Sequence, residues 1–296
     1  MKEMLSEDIA WIRQLVANHF GIVPIRNMER LGGLTNHTYA VSLPSGKYVF
    51  RLPGEGTEQL INRHNEKLST ELACELLVDA KLVFFDADTG VKISEYVKQA
   101  ETMSPEKMRE HNQLVDAARL FRVLHTCGRD THVPFEVFEM AGDYEKIMIQ
   151  NGVHFYDDYQ IVREKVMKIK GEVDCLGAEK VPCHNDPLCE NWVRSDERMY
   201  LIDWEYAGMN DPMWDLADLS IEAEYTAEMD AELLAAYFGR LPEQGEILRF
   251  QANQIYLDFL WSLWGKTRVP FDGEEMEQYA LGRYERLKNS LQKLEI

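Results

Sequence analysis

His184, Asp186 and Asn191 stand in the order H-x-D-x-x-x-x-N within "CHNDPLCENW", and Asp203 follows in "LIDWEYAG". The carboxylate of Asp186 can accept the proton of a substrate hydroxyl. The amide oxygen of Asn191 and the carboxylate of Asp203 are hard oxygen donors of the kind magnesium takes, its other positions going to phosphate and water. These are the parts that phosphoryl transfer asks of a protein, because that reaction is promoted mainly by positioning and charge neutralisation. An Asp and an Asn five positions apart also arise in ordinary polar turns, where both residues form turns and cap helices. The order of the elements around them separates the two readings.

Apolar alternation in "GIVPIRNMERL", "HTYAVSL" and "KYVFRL" predicts three strands, with "PSGK" as a tight turn between the last two. A long periodic segment, "TEQLINRHNEKLSTELACELLVDA", predicts a helix, and "KLVFFDADTGVKISEYV" predicts two further strands around the turn Asp86–Gly90. Beyond "KQAETMSPE" the pattern becomes helical, over roughly 104–127, 136–151 and 156–171. A broken region then holds the opening motif. It leads into a small hairpin, "NWVR" and "MYLID" about the turn "SDER", before helices resume to the end. The expected fold class is α+β in two lobes, a five-stranded antiparallel sheet with one crossing helix over residues 1–97 and a mainly helical lobe over 98–296.

Three further features precede the motif. Gly32 and Gly33, in "LGGLTN" with Thr35 and Asn36, lie between two strands, where missing side chains let backbone N–H groups approach phosphate oxygens; a plain hairpin turn is the alternative. Arg51 sits on an otherwise apolar strand, and Glu66 lies in the next helix as a partner able to hold it toward phosphates. An exposed salt bridge is the alternative for that pair.

This order of parts resembles a protein-kinase-like fold. The wording, with "GGLTN", an arginine on the third strand, "HND" with Asn191 five residues after the Asp, and "IDWEYAG", resembles the choline/ethanolamine kinase family. The resemblance runs over nearly the whole chain. It implies an ATP- and magnesium-dependent phosphotransferase with an alcohol as acceptor, in which Asp186 is the catalytic base and Asn191 and Asp203 the magnesium ligands. It further implies that Glu205 is an acidic neighbour of the metal or substrate, that His184 shapes the loop, and that Asp215 anchors it. Glu95, Tyr96 and Val97 fall where the family joins its lobes and holds adenine. Leu188 departs from the pattern, since protein kinases often carry lysine there and several choline kinases glutamine. The segment from Asp203 to "DPMWDLADL" is short, which argues against a long activation loop and a protein substrate.

Trp261 and Trp264, three residues apart in "YLDFLWSLWGK", share a helical face. Quaternary ammonium groups donate no hydrogen bonds, so aromatic faces and carboxylates bind them. The two tryptophans match the positions of such a box in choline kinases, and Tyr279 or Tyr284 could close it, with Glu222 and Tyr225 nearby. An aromatic pair of this kind is otherwise core.

Composition narrows the partners. Acidic residues outnumber basic ones by 51 to 32, a formal charge of -19, which repels nucleic acid and anionic lipid and suits a small cation such as choline. Ethanolamine or an aminoglycoside is the runner-up acceptor, and a nonenzymatic nucleotide- or cation-binding protein the reading from another class. The five cysteines lack C-x-x-C spacing, which argues against zinc and a disulfide framework. The first twenty residues have no signal-peptide pattern, no stretch is apolar enough for membrane insertion, and the cytoplasm is the expected location.

Overall fold

In the second and third strands apolar residues alternate with polar ones, so one face of the sheet is dry and the other can carry charge. A computed structural model of the chain describes residues 5–32, 36–54 and 61–294. Strands β1 (Asn27–Gly32), β2 (Asn36–Leu43), β3 (Gly46–Pro53), β4 (Leu82–Phe85) and β5 (Lys92–Glu95) form one antiparallel sheet in the order β1-β2-β3-β5-β4. Leu43 pairs with Gly46, which makes Pro44 and Ser45 a two-residue turn. Tyr39, Val41, Leu43, Phe50, Leu52 and Ile93 pack on one face with Ile12, Leu15 and Val16 of helix α1 (Ser6–Phe20). Between Phe50 and Leu52, Arg51 necessarily faces the other way, where helix α2 (Arg63–Glu75) brings Glu66.

Short strands β6 (Glu101–Thr102), β7 (Val181–Cys183), β8 (Trp192–Arg194), β9 (Met199–Leu201) and β10 (Gly208–Asn210) follow. Ser195 Oγ accepts the amides of Glu197 and Arg198 and so closes the β8–β9 hairpin, and β6 adds to β8 as a third strand. The hairpin also takes hold of the end of α2's connection, Leu201 N donating to Val78 O at 3.0 Å.

The chain divides into two compact units, 1–103 with 190–207, and 104–189 with 208–296. Residues 98–103 and 190–207, placed by the sequence reading in the second lobe, therefore pack in the first unit. The cause is strand pairing: β6, β8 and β9 satisfy one another's backbone groups.

The second unit is helical apart from the antiparallel pair β7–β10. Its helices are α3 (Pro105–Met108), α4 (His111–His125), α5 (Val137–Gln150), α6 (Tyr159–Val173), α7 (Pro212–Glu222), α8 (Ala227–Phe238), α9 (Gln244–Asp272) and α10 (Glu274–Lys293). The middle of helix α9, from Ala252 to Thr267, is buried on nearly every side. Its one buried carboxylate, Asp258, is taken by Arg286 at 2.7 and 2.8 Å. No helix among the described residues is long and apolar enough to cross a membrane.

Gly90 ends the Asp86–Gly90 turn with φ +78°, and a Cβ there would lie 2.8 Å from Arg63 Nε. Gly90→Ala is expected to lower unfolding free energy by about 1–3 kcal/mol. Gly21 has the same φ of +78° but open space around it, so Gly21→Ala is the control. Urea midpoints should show the Gly90 variant clearly less stable; equal shifts would mean that Arg63 gives way freely.

Candidate active site

In the first unit the strands and α2 converge on a chain of opposite charges. Asn62 starts α2 by accepting the amides of His64 and Asn65, which fixes Arg63 and Glu66 in the first turn. Glu66 is fully buried and receives Arg51 on one oxygen and Arg63 Nη1, at 2.6 Å, on the other. Arg63 also donates to Glu205 at 2.7 Å and to Asn36 Oδ1 at 3.2 Å, and Asn36 Nδ2 donates to Glu205 at 2.7 Å. Arg51 continues to Gly90 O at 3.2 Å and to Asp203 Oδ1 at 3.3 Å. The pair Arg51–Glu66 is thus buried and not an exposed salt bridge.

Burial by itself would hold Glu66 protonated, but Arg51, Lys92 and Arg63 outweigh it and keep its carboxyl below the usual range. Glu205 goes the other way: burial, followed by the charge of Asp203, pushes it up to about 7. Asp203 differs from both, since 37% of its side chain is exposed and Arg51 touches only one oxygen, at 3.3 Å. Its φ of +71° is unusual for a residue with a side chain.

Asn191 and Asp203 are brought together by the hairpin. Asn191 precedes β8, Ile202 follows β9, and Ile202 N donates to Asn191 O at 2.9 Å. One amide oxygen and one partly open carboxylate make a donor set that fits magnesium.

In the second unit α7 builds the loop that carries Asp186. Asp211 caps α7 through Met213 N, with Pro212 at its first position. One helical turn on, Asp215 is fully buried and accepts His184 N at 2.8 Å, Asn185 N at 2.7 Å and His125 Nε2 at 3.0 Å. Trp214 Nε1 holds Asn185 O at 3.0 Å, Asn210 Nδ2 holds Asn185 Oδ1 at 2.9 Å, and His184 Nδ1 accepts Asp186 N at 3.3 Å. This network keeps Asn185 at a φ of +67°. Leu188 contributes a backbone N–H to Asp186 O at 2.9 Å, closing the turn. Cys183, His125 and Asp215 lie close together, but the donors on Asp215 and the Cys183 thiol's bond to Asn210 O make them a hydrogen-bonded core.

The same unit gathers the aromatic residues. Trp261 and Trp264 of α9 meet edge to face at 6.0 Å, and Trp264 meets Tyr279 of α10 at 5.9 Å. The helices can approach because Gly265 has no side chain; a Cβ there would lie 2.9 Å from Tyr279 Cδ1. Arg283 lies over the Tyr279 ring at 5.2 Å and donates to Glu222. Burial pushes the Tyr279 hydroxyl up to about 12; Arg283 opposes the shift, and Glu222 and Asp186 add to it.

Several of the predicted site residues have partners of their own in the structure. Tyr284 stacks on Tyr156 at 4.1 Å and donates to Asp158 at 2.8 Å. Five positions on a helix turn it about 140° from Tyr279, so only one of the two could join the tryptophans. Tyr225 follows the end of α7 and spends its hydroxyl on Met108 O, 2.8 Å away at the end of α3. Asn36 and Glu205 hydrogen-bond to each other and to Arg63, and Glu205 stays an acidic neighbour of Asp203. At the expected adenine position the amides of Glu95 and Tyr96 donate to Lys81 O and Lys47 O, and the Glu95 side chain pairs with Lys81. Gly33 and Thr35 lie outside the described residues, and Gly32 ends β1. Arg63 and Arg283 escape sequence reasoning, although each stands three or four residues from a singled-out Glu66 or Tyr279.

The family profile "Choline/ethanolamine kinase" matches residues 28–269. Protein LicA of Haemophilus influenzae is 27% identical over 272 residues, covering 89% of this chain and 79% of that protein. A choline/ethanolamine kinase family protein from Mesorhizobium loti superposes with a TM-score of 0.86 at 35% identity, over 97% of this chain and 95% of that one. The choline kinase LicA from Streptococcus pneumoniae gives 0.81 at 30% identity, over 96% and 99%. A structure of LicA in complex with AMP gives 0.79 at 30% identity, over 96% and 98%.

Proposed function

Since the chain belongs to the choline/ethanolamine kinase family, phosphotransferases that act on an alcohol, we propose that it moves the γ-phosphoryl of ATP to the hydroxyl of choline. The observation that carries the choice of choline is the contact series Trp261–Trp264–Tyr279, in the unit that holds Asp186. A trimethylammonium group offers no N–H, so rings stabilise it by about 0.5–2 kcal/mol per contact. The nearby carboxylate of Glu222 is taken by Arg283.

Asp186 accepts the hydroxyl proton as the oxygen attacks, and Asp215 keeps its loop in place through His184 and Asn185. Arg51, charged and braced by Glu66, is the donor for phosphate oxygens, a duty left to it by the apolar Leu188. Asn191 and Asp203 would hold magnesium, which supplies neutralisation of phosphate charge when bound. With the amides of Glu95 and Tyr96 engaged, we assign the base contact to Val97 N–H. Five unpaired cysteines and the ATP requirement fit the cytoplasm.

The test is coupled ADP release with ATP and magnesium across choline, ethanolamine and kanamycin. Choline-dependent turnover with little from the others supports the reading; turnover with another acceptor alone removes choline from it. Trp264 is only half-buried, so Trp264→Ala should fold and raise the choline KM by about threefold to thirtyfold while the ATP KM stays put. Equal changes in both KM values would return the tryptophans to the core.

A further inference from the structure

Asp211, Asp215, Asp218 and Glu222 follow one another along α7 at spacings of four, three and four, so they form one acidic stripe. Three are answered. Asp211 pairs with Arg249, Asp215 receives two amides and His125, and Glu222 receives Arg283. Asp218 is fully buried, and neither of its oxygens has a hydrogen-bond partner among the described residues.

The charged groups around it are known. Asp215 and Glu222 face it from its own helix, Asp186 from the catalytic loop and Arg283 from α10. On α9, Asp258 is engaged by Arg286 and Arg283, and on α4, His125 by Asp215. Helical rise puts Asp218 roughly 4–5 Å along the axis from Asp215 and roughly 6 Å from Glu222. Asp215 fixes the loop of Asp186, where we place the hydroxyl; Glu222 fixes Arg283 against Tyr279, where we place the ammonium. A buried polar group without a partner is destabilising, more so if charged, and an apolar residue would avoid that cost. The partner that removes it is then one that arrives with the substrate.

We propose that Asp218 is a specificity residue of the acceptor subsite, the carboxylate that answers the positive charge of the substrate. The inference rests on the kinase reading above. Burial first, then the charges of Glu222 and Asp186, raises the Asp218 carboxyl well above its usual range, toward the neutral form in the free protein. A cation settling nearby favours the ionised form, and the proton leaves to the buffer. Binding a cationic alcohol therefore releases a proton and tightens as pH rises; binding a neutral alcohol of the same shape does neither.

The test is calorimetry of the full chain with choline, near neutral pH, in two buffers of different ionisation enthalpy. Alongside it, kinetics compare choline with its uncharged isostere 3,3-dimethylbutan-1-ol. The wild type is expected to release a measurable fraction of a proton with choline and none with the isostere. Asp218→Asn should abolish that release and raise the choline KM about tenfold or more, leaving the KM for the isostere and for ATP within about twofold. Equal proton release in both proteins, or equal KM changes for charged and uncharged acceptors, overturns the proposal. If the variant fails to fold, the wild type decides: a choline enthalpy independent of buffer, or affinity for choline and isostere with the same pH dependence, overturns it. Should the wild type accept another cation instead of choline, that cation replaces choline in each arm, so the acceptor reading fails separately from this one.

Discussion

Asp186→Asn is expected to lower turnover by about 10²–10⁴-fold while leaving the affinities for choline and ATP within a few-fold. The asparagine amide has the size of the carboxylate but cannot take the hydroxyl proton. The loop should persist, because its position depends on backbone contacts: His184 N and Asn185 N on Asp215, and Asn185 O on Trp214. Single-turnover phosphate transfer, with binding followed separately by calorimetry, measures the two effects apart. Turnover within tenfold of wild type would remove the base from Asp186.

The second large effect is expected at a residue that touches no substrate. Asp215→Asn leaves an amide N–H facing donors that now point at a carboxylate, two from the backbone and one from His125. Breaking a buried charged hub of this kind costs about 3–5 kcal/mol, and in a chain of this size the melting temperature should drop by roughly 10 °C. Catalysis should suffer more than binding, since the loop of Asp186 loses its register: kcat falls by at least tenfold with KM for both substrates little changed. A variant with wild-type Tm and kcat would show that Trp214 and Asn210 suffice to hold the loop.

The antiparallel sheet was legible because its strands are long enough to show a period of two and are separated by Pro, Gly and Asp turns. Strands of two or three residues carry no period, so β6, β7 and β10 could not be read; β8 and β9 were legible only through the turn between them, and without β6 the allegiance of residues 190–207 was lost. The polar motif was legible through residue types that few structural roles require together. Arg63 and Arg283 were not, because an arginine on a helix reads as a solvated charge until tertiary packing buries it, as it does both. Asp218 was hidden for the opposite reason: in "DLADLSIE" it looks like one more exposed acid, and its burial without a hydrogen-bond partner among the described residues is what distinguishes it. Tyr279 and Tyr284 stood as alternatives in the sequence, and helical phase separates them only once α10 is seen packed on α9.

The interleaving of the units bears on synthesis. The five-stranded sheet can pair once Glu95 is clear of the ribosome, but β6 waits for β8, about a hundred residues later, or roughly 5–20 s of elongation. Through that interval the first unit holds an unpaired edge and lacks both Asn191 and Asp203. The nascent chain would thus have its five-stranded sheet well before the first unit is complete, and a stall anywhere between β6 and β9 would leave an incomplete fold with an edge open to aggregation.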